Sequence, residues 1–245
     1  WDGATWLPLG EGRPAQVTAL TVMPDGAVIA AGRSANTSPS ASQVHRWDGS
    51  AWTQLGGDIT TGNVYALASS PGADLIAAGD FRQIGATDAS CAARWTGSEW
   101  LPLQSGFQGA FPLSFNPAIF ALSTLTDGRV LAGGDFTSAG PSAVQGVALW
   151  NDQSWSPLST GFGGPEPEVR DLLVLADSRV VATGFFPSAG GVRASSIVEW
   201  DGVQWTPLGS GLAGGSFALG GYALAMLPDS SLLVGGLFSD AGGVS

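Results

Sequence analysis

Three carboxylates stand where the sequence could support acid–base chemistry. Asp171 occupies a position that alanine fills in four related segments of the chain, and Asp80 and Asp135 each follow a glycine that recurs at one place in those segments. Glycoside hydrolysis requires two carboxyl groups that face one sugar bond. Asp171 paired with Asp80 or Asp135 is therefore the candidate acid set of a carbohydrate-active enzyme. The competing interpretations are solvated acids without chemistry and oxygen ligands of a calcium ion.

Histidine and cysteine are too scarce for a metal site. The chain has one of each: His45 stands where related segments have alanine or valine, and Cys91 where they have glutamine, glycine or serine. A metal site made from these residue types needs more ligands than this. We therefore expect no metal and no cofactor, a partly buried His45 and an inert Cys91 thiol.

The charge of the chain restricts its partners. Its 20 acidic and 9 basic residues give a net charge of -11, and every basic residue is arginine. This charge argues against a nucleic-acid partner because phosphate contacts need a basic stripe, and it argues against anionic membrane surfaces for the same reason. No apolar run reaches the roughly 18 to 20 residues that span a bilayer. These exclusions leave a protein or a polysaccharide as the partner, with the oligomeric state open.

The elements that would position these residues follow from a repeat. All ten tryptophans fall into pairs separated by five residues, and the pairs restart after 46, 48, 55 and 50 residues. The pairs are Trp1/Trp6, Trp47/Trp52, Trp95/Trp100, Trp150/Trp155 and Trp200/Trp205. Such a period is typical of an array of one supersecondary unit. Because the repeat runs from end to end, we predict a single domain over residues 1–245.

Each unit contains four strand-like segments, which we name a to d in chain order. Alternating apolar residues predict strand a at residues 17–22, 64–68, 119–125, 169–175 and 222–227. A tight turn leads to strand b, which runs to a glycine present in all five copies: Gly32, Gly79, Gly134, Gly184 and Gly236. We expect neighbouring backbone to approach this glycine closely. Strands c and d form a hairpin with one tryptophan of the pair on each side of its turn.

This unit is typical of one blade of a β-propeller, which contains four short antiparallel strands. We predict an all-β protein in which five repeats form a five-bladed ring and the tryptophans pack between strands. Strand c is complete only four times, because Trp1 would end a strand whose body is missing. The closing blade therefore lacks one strand in this sequence. The alternatives are a chain that continues and completes the blade, or a ring with more blades.

The repeat resembles those of kelch-type propellers and of the central domain of galactose oxidase. Paired glycines such as Gly133-Gly134 carry this likeness, and the phrase from Trp200 to Gly209 is closer still to repeats of bacterial surface proteins and of the fungal cortical cell-polarity marker family. The resemblance covers the whole chain and implies a secreted or cell-surface protein. It gives little support to the copper chemistry of galactose oxidase, which uses several histidines and a Cys-Tyr cofactor.

The connections between strands vary on one face of the predicted disc. The turns from a to b and from c to d are tight in every copy, whereas the d-to-a and b-to-c connections differ in length. Loops on a rigid scaffold are common places for recognition. The longest connection, residues 104–117, contains Phe107, Phe111 and Phe115, which we expect either to contact a ligand or to fold back over the ring.

The sequence therefore favours a binding module over an enzyme. We predict a non-catalytic propeller module that binds a protein or polysaccharide through the face of the d-to-a and b-to-c connections, without a catalytic residue. The candidate ligand-binding residues are Asp171, Asp80, Asp135, Arg33, Phe107, Phe111 and Phe115. The alternatives are a glycosidase or lyase that uses the axial carboxylates, and a lectin with repeated sugar sites between blades.

Overall fold

The computed structural model describes residues 3–10, 16–34, 41–70, 72, 74–109, 116–214 and 220–244, and contains strands and turns but no helix among them. The first two repeats contain β1 (Gln16–Val22), β2 (Val28–Arg33), β3 (Ser42–Trp47), β4 (Trp52–Gln54), β5 (Val64–Ser69), β6 (Leu75–Gly79), β7 (Gln83–Ile84), β8 (Thr87–Asp88), β9 (Ala92–Trp95) and β10 (Trp100–Pro102). The third contains β11 (Phe107–Gln108), β12 (Ala118–Thr124), β13 (Val130–Asp135), β14 (Ser138–Ala139), β15 (Ser142–Ala143), β16 (Val147–Trp150) and β17 (Trp155–Pro157). The last two contain β18 (Phe162–Gly163), β19 (Glu168–Val174), β20 (Val180–Phe185), β21 (Ser188–Ala189), β22 (Val192–Arg193), β23 (Ile197–Trp200), β24 (Trp205–Pro207), β25 (Leu212–Ala213), β26 (Gly220–Met226), β27 (Leu232–Leu237) and β28 (Asp240–Ala241).

Four antiparallel sheets of four strands each follow the predicted order a, b, c, d. They are β1-β2-β3-β4, β5-β6-β9-β10, β12-β13-β16-β17 and β19-β20-β23-β24, and β26 and β27 form a further two-stranded sheet. The all-β class and the antiparallel sheets are therefore confirmed. The chain divides into two compact units, Trp1–Pro102 with the first two of these sheets and Leu103–Ser245 with the others.

Small sheets in the variable connections were not predicted. In the second unit, the d-to-a segments β11 and β18 pair with b-to-c hairpins to form the three-stranded sheets β11-β14-β15 and β18-β21-β22. The recurring Phe-x-Ser-Ala-Gly phrase forms the first strand and turn of each hairpin, as at Ser138–Ala139 and Gly140. Its glycine has a positive φ of 55°, which a turn of this kind favours.

The tryptophan pairs pack across the hairpin of strands c and d. Trp150 and Trp155 are direct cross-strand partners, and their ring centroids lie 5.1 Å apart. The pairs of the other c–d hairpins have the same register, with centroids between 5.3 and 5.5 Å apart. Trp100, Trp155 and Trp205 are at most 4% exposed. Trp6 is 82% exposed, and Trp1 lies outside the described residues.

The repeated glycine of strand b lies against a β-bulge in strand a. A Cβ atom at Gly134 would collide with the carbonyl oxygen of Ala118, and the other four copies would meet the equivalent carbonyl. The register of strand a shifts by one residue beside each of these glycines. The predicted close approach is confirmed, and it coincides with the extra residue of strand a at the bulge.

Candidate functional site

The bulge determines which side chains project from the end of each a–b hairpin. One residue of strand a is left out of the pairing at each bulge, and we call these the bulge residues: Thr18, Tyr65, Phe120, Arg170 and Tyr222. They lie where strand a begins and strand b ends, beside the d-to-a and b-to-c connections. Because a bulge changes the direction of a side chain, the same position of each repeat presents a side chain that the regular pairing does not.

In the first unit, the bulge residue Tyr65 belongs to a hydrogen-bonded network. The Tyr65 hydroxyl donates to Oδ2 of Asp80 (3.0 Å) and accepts from Nδ2 of Asn63 (3.1 Å). The Asn63 Oδ1 atom accepts from Nε of Arg33 (2.8 Å). Burial, and then the negative charge of Asp80, raise the pKa of Tyr65, so its hydroxyl keeps its proton. The predicted residues Arg33 and Asp80 therefore come together here.

In the second unit, the bulge residues of three successive repeats form an aromatic cluster around an arginine. The guanidinium carbon of Arg170 lies 4.0 Å from the ring centroid of Phe120, 5.6 Å from that of Phe185 and 5.7 Å from that of Tyr222. Phe185 and Tyr222 also meet edge to face, with centroids 5.4 Å apart.

The arginine of this cluster is neutralised from within its own strand. Arg170 forms an ion pair with Glu168, and their side chains are 28% and 25% exposed. Tyr222 is 45% exposed, so the cluster presents aromatic surface to solvent. Cation–π contacts of this kind hold the arginine and the rings in one arrangement.

Asp171 follows the bulge residue and connects two neighbouring strands. Its Oδ1 atom accepts from the backbone N–H of Leu172 (2.8 Å), and its Oδ2 atom accepts from the N–H of Leu224 on β26 (2.7 Å). Burial raises the pKa of Asp171, and the two N–H donors oppose that shift. Each carboxylate oxygen thus has a backbone partner, which supports a structural role.

The three predicted acids do not share one unit. Asp80 belongs to the first unit, whereas Asp135 and Asp171 belong to the second. Asp135 ends β13 and is only 4% exposed. A carboxylate buried to this degree is poorly placed to meet a ligand from solvent, so the structure lends Asp135 less support as a binding residue than Asp80.

The prediction that Phe107 contacts a ligand is wrong. Phe107 is fully buried and meets Phe136 and Trp155 edge to face, with ring centroids 4.6 and 4.7 Å apart. Phe162 has the same role in the next repeat, where it packs on Phe186 and Trp205. Phe107 therefore belongs to the repeated core. Phe111 and Phe115 lie outside the described residues.

His45 and Cys91 are both interior residues. His45 is 2% exposed on β3, more buried than predicted. Burial raises the pKa of the Cys91 thiol to about 12, which keeps it protonated and unreactive at neutral pH, as predicted. The described residues contain no group of three or more His, Cys, Asp or Glu side chains that could hold a metal ion.

A second kind of concavity recurs at the opposite ends of the sheets, beside the a–b and c–d turns. One cleft of about 570 Å³ lies in the first unit, and one of about 330 Å³ in the second. Both are lined by the same repeat positions, which include Asp25 and Asp127, Ile29 and Leu131, Leu55 and Leu158, Trp95 and Trp200, and Gly97 and Gly202. Each cleft is thus lined by the first member of a tryptophan pair, Trp95 in the first unit and Trp200 in the second.

Comparison with known proteins establishes similarity of fold. No protein-family model matches the chain, and a search of curated proteins gives no significant match. Virginiamycin B lyase from Staphylococcus aureus superposes with a TM-score of 0.51 at 12% identity over 93% of this chain, which spans 65% of that protein's length. A protein of unknown function from Dyadobacter fermentans gives a TM-score of 0.51 at 15% identity over 99% of this chain and 79% of its own. An ulvan lyase, which is a polysaccharide lyase, gives 0.47 at 11% identity over 91% of this chain and 67% of its own.

The likeness to virginiamycin B lyase, at a TM-score of 0.51, and the antiparallel sheets indicate an all-β protein with a propeller-type fold. At such low identity the similarity concerns the fold alone. Among the described residues, no helix is long and apolar enough to cross a membrane.

The bulge residues are the site feature that sequence reasoning missed. A bulge adds one residue to a strand without changing its apolar alternation enough to be recognised in a short segment. A signal was nevertheless present in four of the five repeats. The position before the recurring alanine, or before Asp171 in its place, holds a large side chain there: Tyr65, Phe120, Arg170 or Tyr222. Comparing the repeats at that position could have identified the cluster.

Proposed function

We propose that this protein is a non-catalytic binding module that takes a polysaccharide at the bulge residues. One observation carries the proposal: Phe120, Arg170, Phe185 and Tyr222 form a partly exposed aromatic cluster where strands a begin and strand b ends. Aromatic rings offer a rigid apolar face with little conformational entropy to lose, and sugar rings can stack on such faces. The neighbouring d-to-a and b-to-c connections belong to the face favoured by the sequence.

The experiment compares binding of an exposed-aromatic variant with a matched control. Tyr222→Ala removes the most exposed ring of the cluster, whereas Val203→Ala shortens a side chain that is 82% exposed in a c–d turn. Affinity for polygalacturonate, dextran sulfate and dextran is measured by calorimetry. We expect wild type to bind one of them and Tyr222→Ala to bind about fivefold more weakly, the loss of about 1 kcal/mol of aromatic contact. Equal affinities of the two variants would contradict the proposal.

The number of blades and the closure of the ring are part of the same proposal. We infer five blades in one ring, with β26 and β27 as the strands of an incompletely paired last blade. The kelch-like repeat and the secreted or cell-surface location implied by it fit a polysaccharide ligand. Small-angle scattering of the protein in solution tests the ring, which requires a disc-shaped particle.

A lectin with repeated sites is the second candidate, and the matched clefts favour it. Each pairs an apolar floor with a tryptophan wall and a carboxylate at the rim, at identical repeat positions. Thr96→Arg would fill the first-unit cleft, and Ser98→Arg would add the same charge in the same turn without lining it. If the lectin hypothesis holds, only Thr96→Arg weakens sugar binding.

The enzyme alternative is tested in the same incubations. Its candidate acids are Asp171 with Asp80 or Asp135, and the virginiamycin B lyase likeness concerns fold alone. A binding module leaves the polysaccharide chain length unchanged, whereas release of new chain ends that is lost in Asp171→Asn would favour the enzyme.

A further inference from the structure

Arg33 differs from most arginines of the chain in its electrostatic surroundings. Of the eight arginines that the structure describes, five form ion pairs with carboxylates, as Arg46 does with Asp25. Arg33 ends β2 directly after its repeated glycine and is exposed. Within the described ranges it makes no ion pair. Arg193 also makes no ion pair within the described ranges, and Arg33 differs from it by its hydrogen bond to Asn63.

The guanidinium of Arg33 is held by one side chain. Its Nε atom donates to Oδ1 of Asn63 at 2.8 Å, and this is the one hydrogen bond recorded for the group among the described residues. Within the described part of the chain, the donors on its two terminal nitrogens have no partner and can contact a ligand. A guanidinium oriented through Nε keeps its planar terminal edge for two parallel hydrogen bonds to an oxyanion.

Asn63 is itself fixed from three directions. Its Nδ2 atom donates to the Tyr65 hydroxyl, and its backbone N–H donates to Oδ1 of Asp80. Its Oδ1 atom lies 3.5 Å from the hydroxyl of Ser42, which is 2% exposed. A side chain held in this way can orient Arg33 before a ligand arrives, which lowers the entropic cost of binding.

Asp80 is the carboxylate of this network, and each of its two oxygens accepts a hydrogen bond. Its carboxylate accepts from the Tyr65 hydroxyl and from the Asn63 N–H. The equivalent cluster of the second unit differs, because there Glu168 pairs with Arg170. Anion recognition is therefore a property of the first-unit network, whereas the second-unit cluster offers aromatic surface.

We propose that Arg33, oriented by Asn63, binds an oxyanion of the polysaccharide, either a uronic-acid carboxylate or a sulfate ester. The inference rests on the proposed function and specifies its ligand as an anionic polymer. Bidentate contact between a guanidinium and an oxyanion gives geometric selection as well as charge. Lysine at this position provides the charge without the planar fork.

The test uses charge-matched variants and three probes. Arg33→Gln and Arg193→Gln change the net charge equally, and both arginines are exposed. Arg33→Lys keeps the charge. Polygalacturonate carries carboxylates, dextran sulfate carries sulfate esters, and dextran carries neither, so the two anionic probes distinguish the source of the oxyanion. Thermal unfolding of each variant establishes that it folds.

We expect Arg33→Gln to weaken binding of one anionic probe about tenfold or more, since a charged hydrogen-bonded contact is lost. Arg33→Lys should recover part of that loss and Arg193→Gln should change affinity less than about twofold.

Equal effects of Arg33→Gln and Arg193→Gln overturn the inference. An unaffected Arg33→Gln beside a weakened Tyr222→Ala overturns it and leaves the proposed function standing. Binding of dextran alone overturns the anionic ligand, and binding of no probe overturns both proposals.

Discussion

At the scale of single residues, the departures from the repeat have identifiable physical roles. Asp171 replaces the alanine of the other repeats, and its carboxylate joins β19 to β26 through two backbone N–H donors. Arg33 and Tyr65 depart from their equivalents in a different way, since they form a polar network that is open to solvent. The sequence identified Asp171, Asp80 and Arg33 as exceptions but not that Arg33 is exposed whereas the two acids are partly buried.

The pH dependence of stability tests the buried state of Asp171. Burial raises the pKa of Asp171 above its ordinary 3.8, so the folded protein holds the proton more tightly than the unfolded chain. Its favourable contribution is present below that ordinary value and is lost as pH rises through the folded-state pKa. We expect the stability of wild type relative to Asp171→Asn to fall as pH rises above about 4. Chemical unfolding at several pH values measures it, and a difference that stays constant or grows would contradict the burial.

At the scale of elements, the a–b hairpin is shaped by its bulge and the glycine opposite it. Gly184 cannot accept a Cβ atom without colliding with the carbonyl of Glu168. Gly235 has no atom within 4 Å of an added Cβ and no positive φ. The sequence predicted the close approach at Gly184 because the glycine recurs, but the bulge depends on the hydrogen-bond register of two strands, which composition does not report.

Two glycine substitutions test this account of the hairpin. Gly184→Ala should destabilise the protein by about 2 kcal/mol or more, because backbone must move to admit the methyl group. Gly235→Ala should be neutral or stabilising by up to about 1 kcal/mol through the unfolded state. Denaturant titration compares the two, and similar free energies of unfolding would contradict the bulge geometry.

One cross-strand ion pair occurs in two repeats with its charges reversed. In the second repeat Asp74 pairs with Arg94, and in the fourth repeat Arg179 pairs with Glu199 at the same two positions with the charges reversed. The two positions thus hold opposite charges in both repeats, whichever of them carries the arginine.

Reversing the charges of the second repeat should therefore preserve the pair. We expect Arg94→Glu alone to destabilise the protein and the added Asp74→Arg to restore it, with a coupling of about 0.5 to 1 kcal/mol for these partly exposed groups. A double-mutant cycle measures the coupling, and additive effects would show that the pair contributes nothing.

At the scale of the whole molecule, the repeat made the strands predictable and the surfaces less so. The order a, b, c, d and the place of the tryptophan pairs follow from local alternation and turn chemistry. Burial depends on neighbours instead: Leu233 is 56% exposed, whereas Val181, its equivalent in the preceding repeat, is 2% exposed. For the same reason Phe107 was assigned to a binding surface although it packs in the core.

The most direct test of the central claim maps which end of the sheets a polysaccharide covers. Hydroxyl-radical footprinting is performed with and without whichever of polygalacturonate and dextran sulfate binds. Tyr222 and Met226 provide an internal comparison, because they lie near opposite ends of β26 and are 45% and 38% exposed. The proposed function predicts that the polysaccharide lowers oxidation of Tyr222 and leaves Met226 and Met23, in the first-unit cleft, unchanged. Protection of Met23 with no change at Tyr222 would contradict it and favour the clefts as the binding sites.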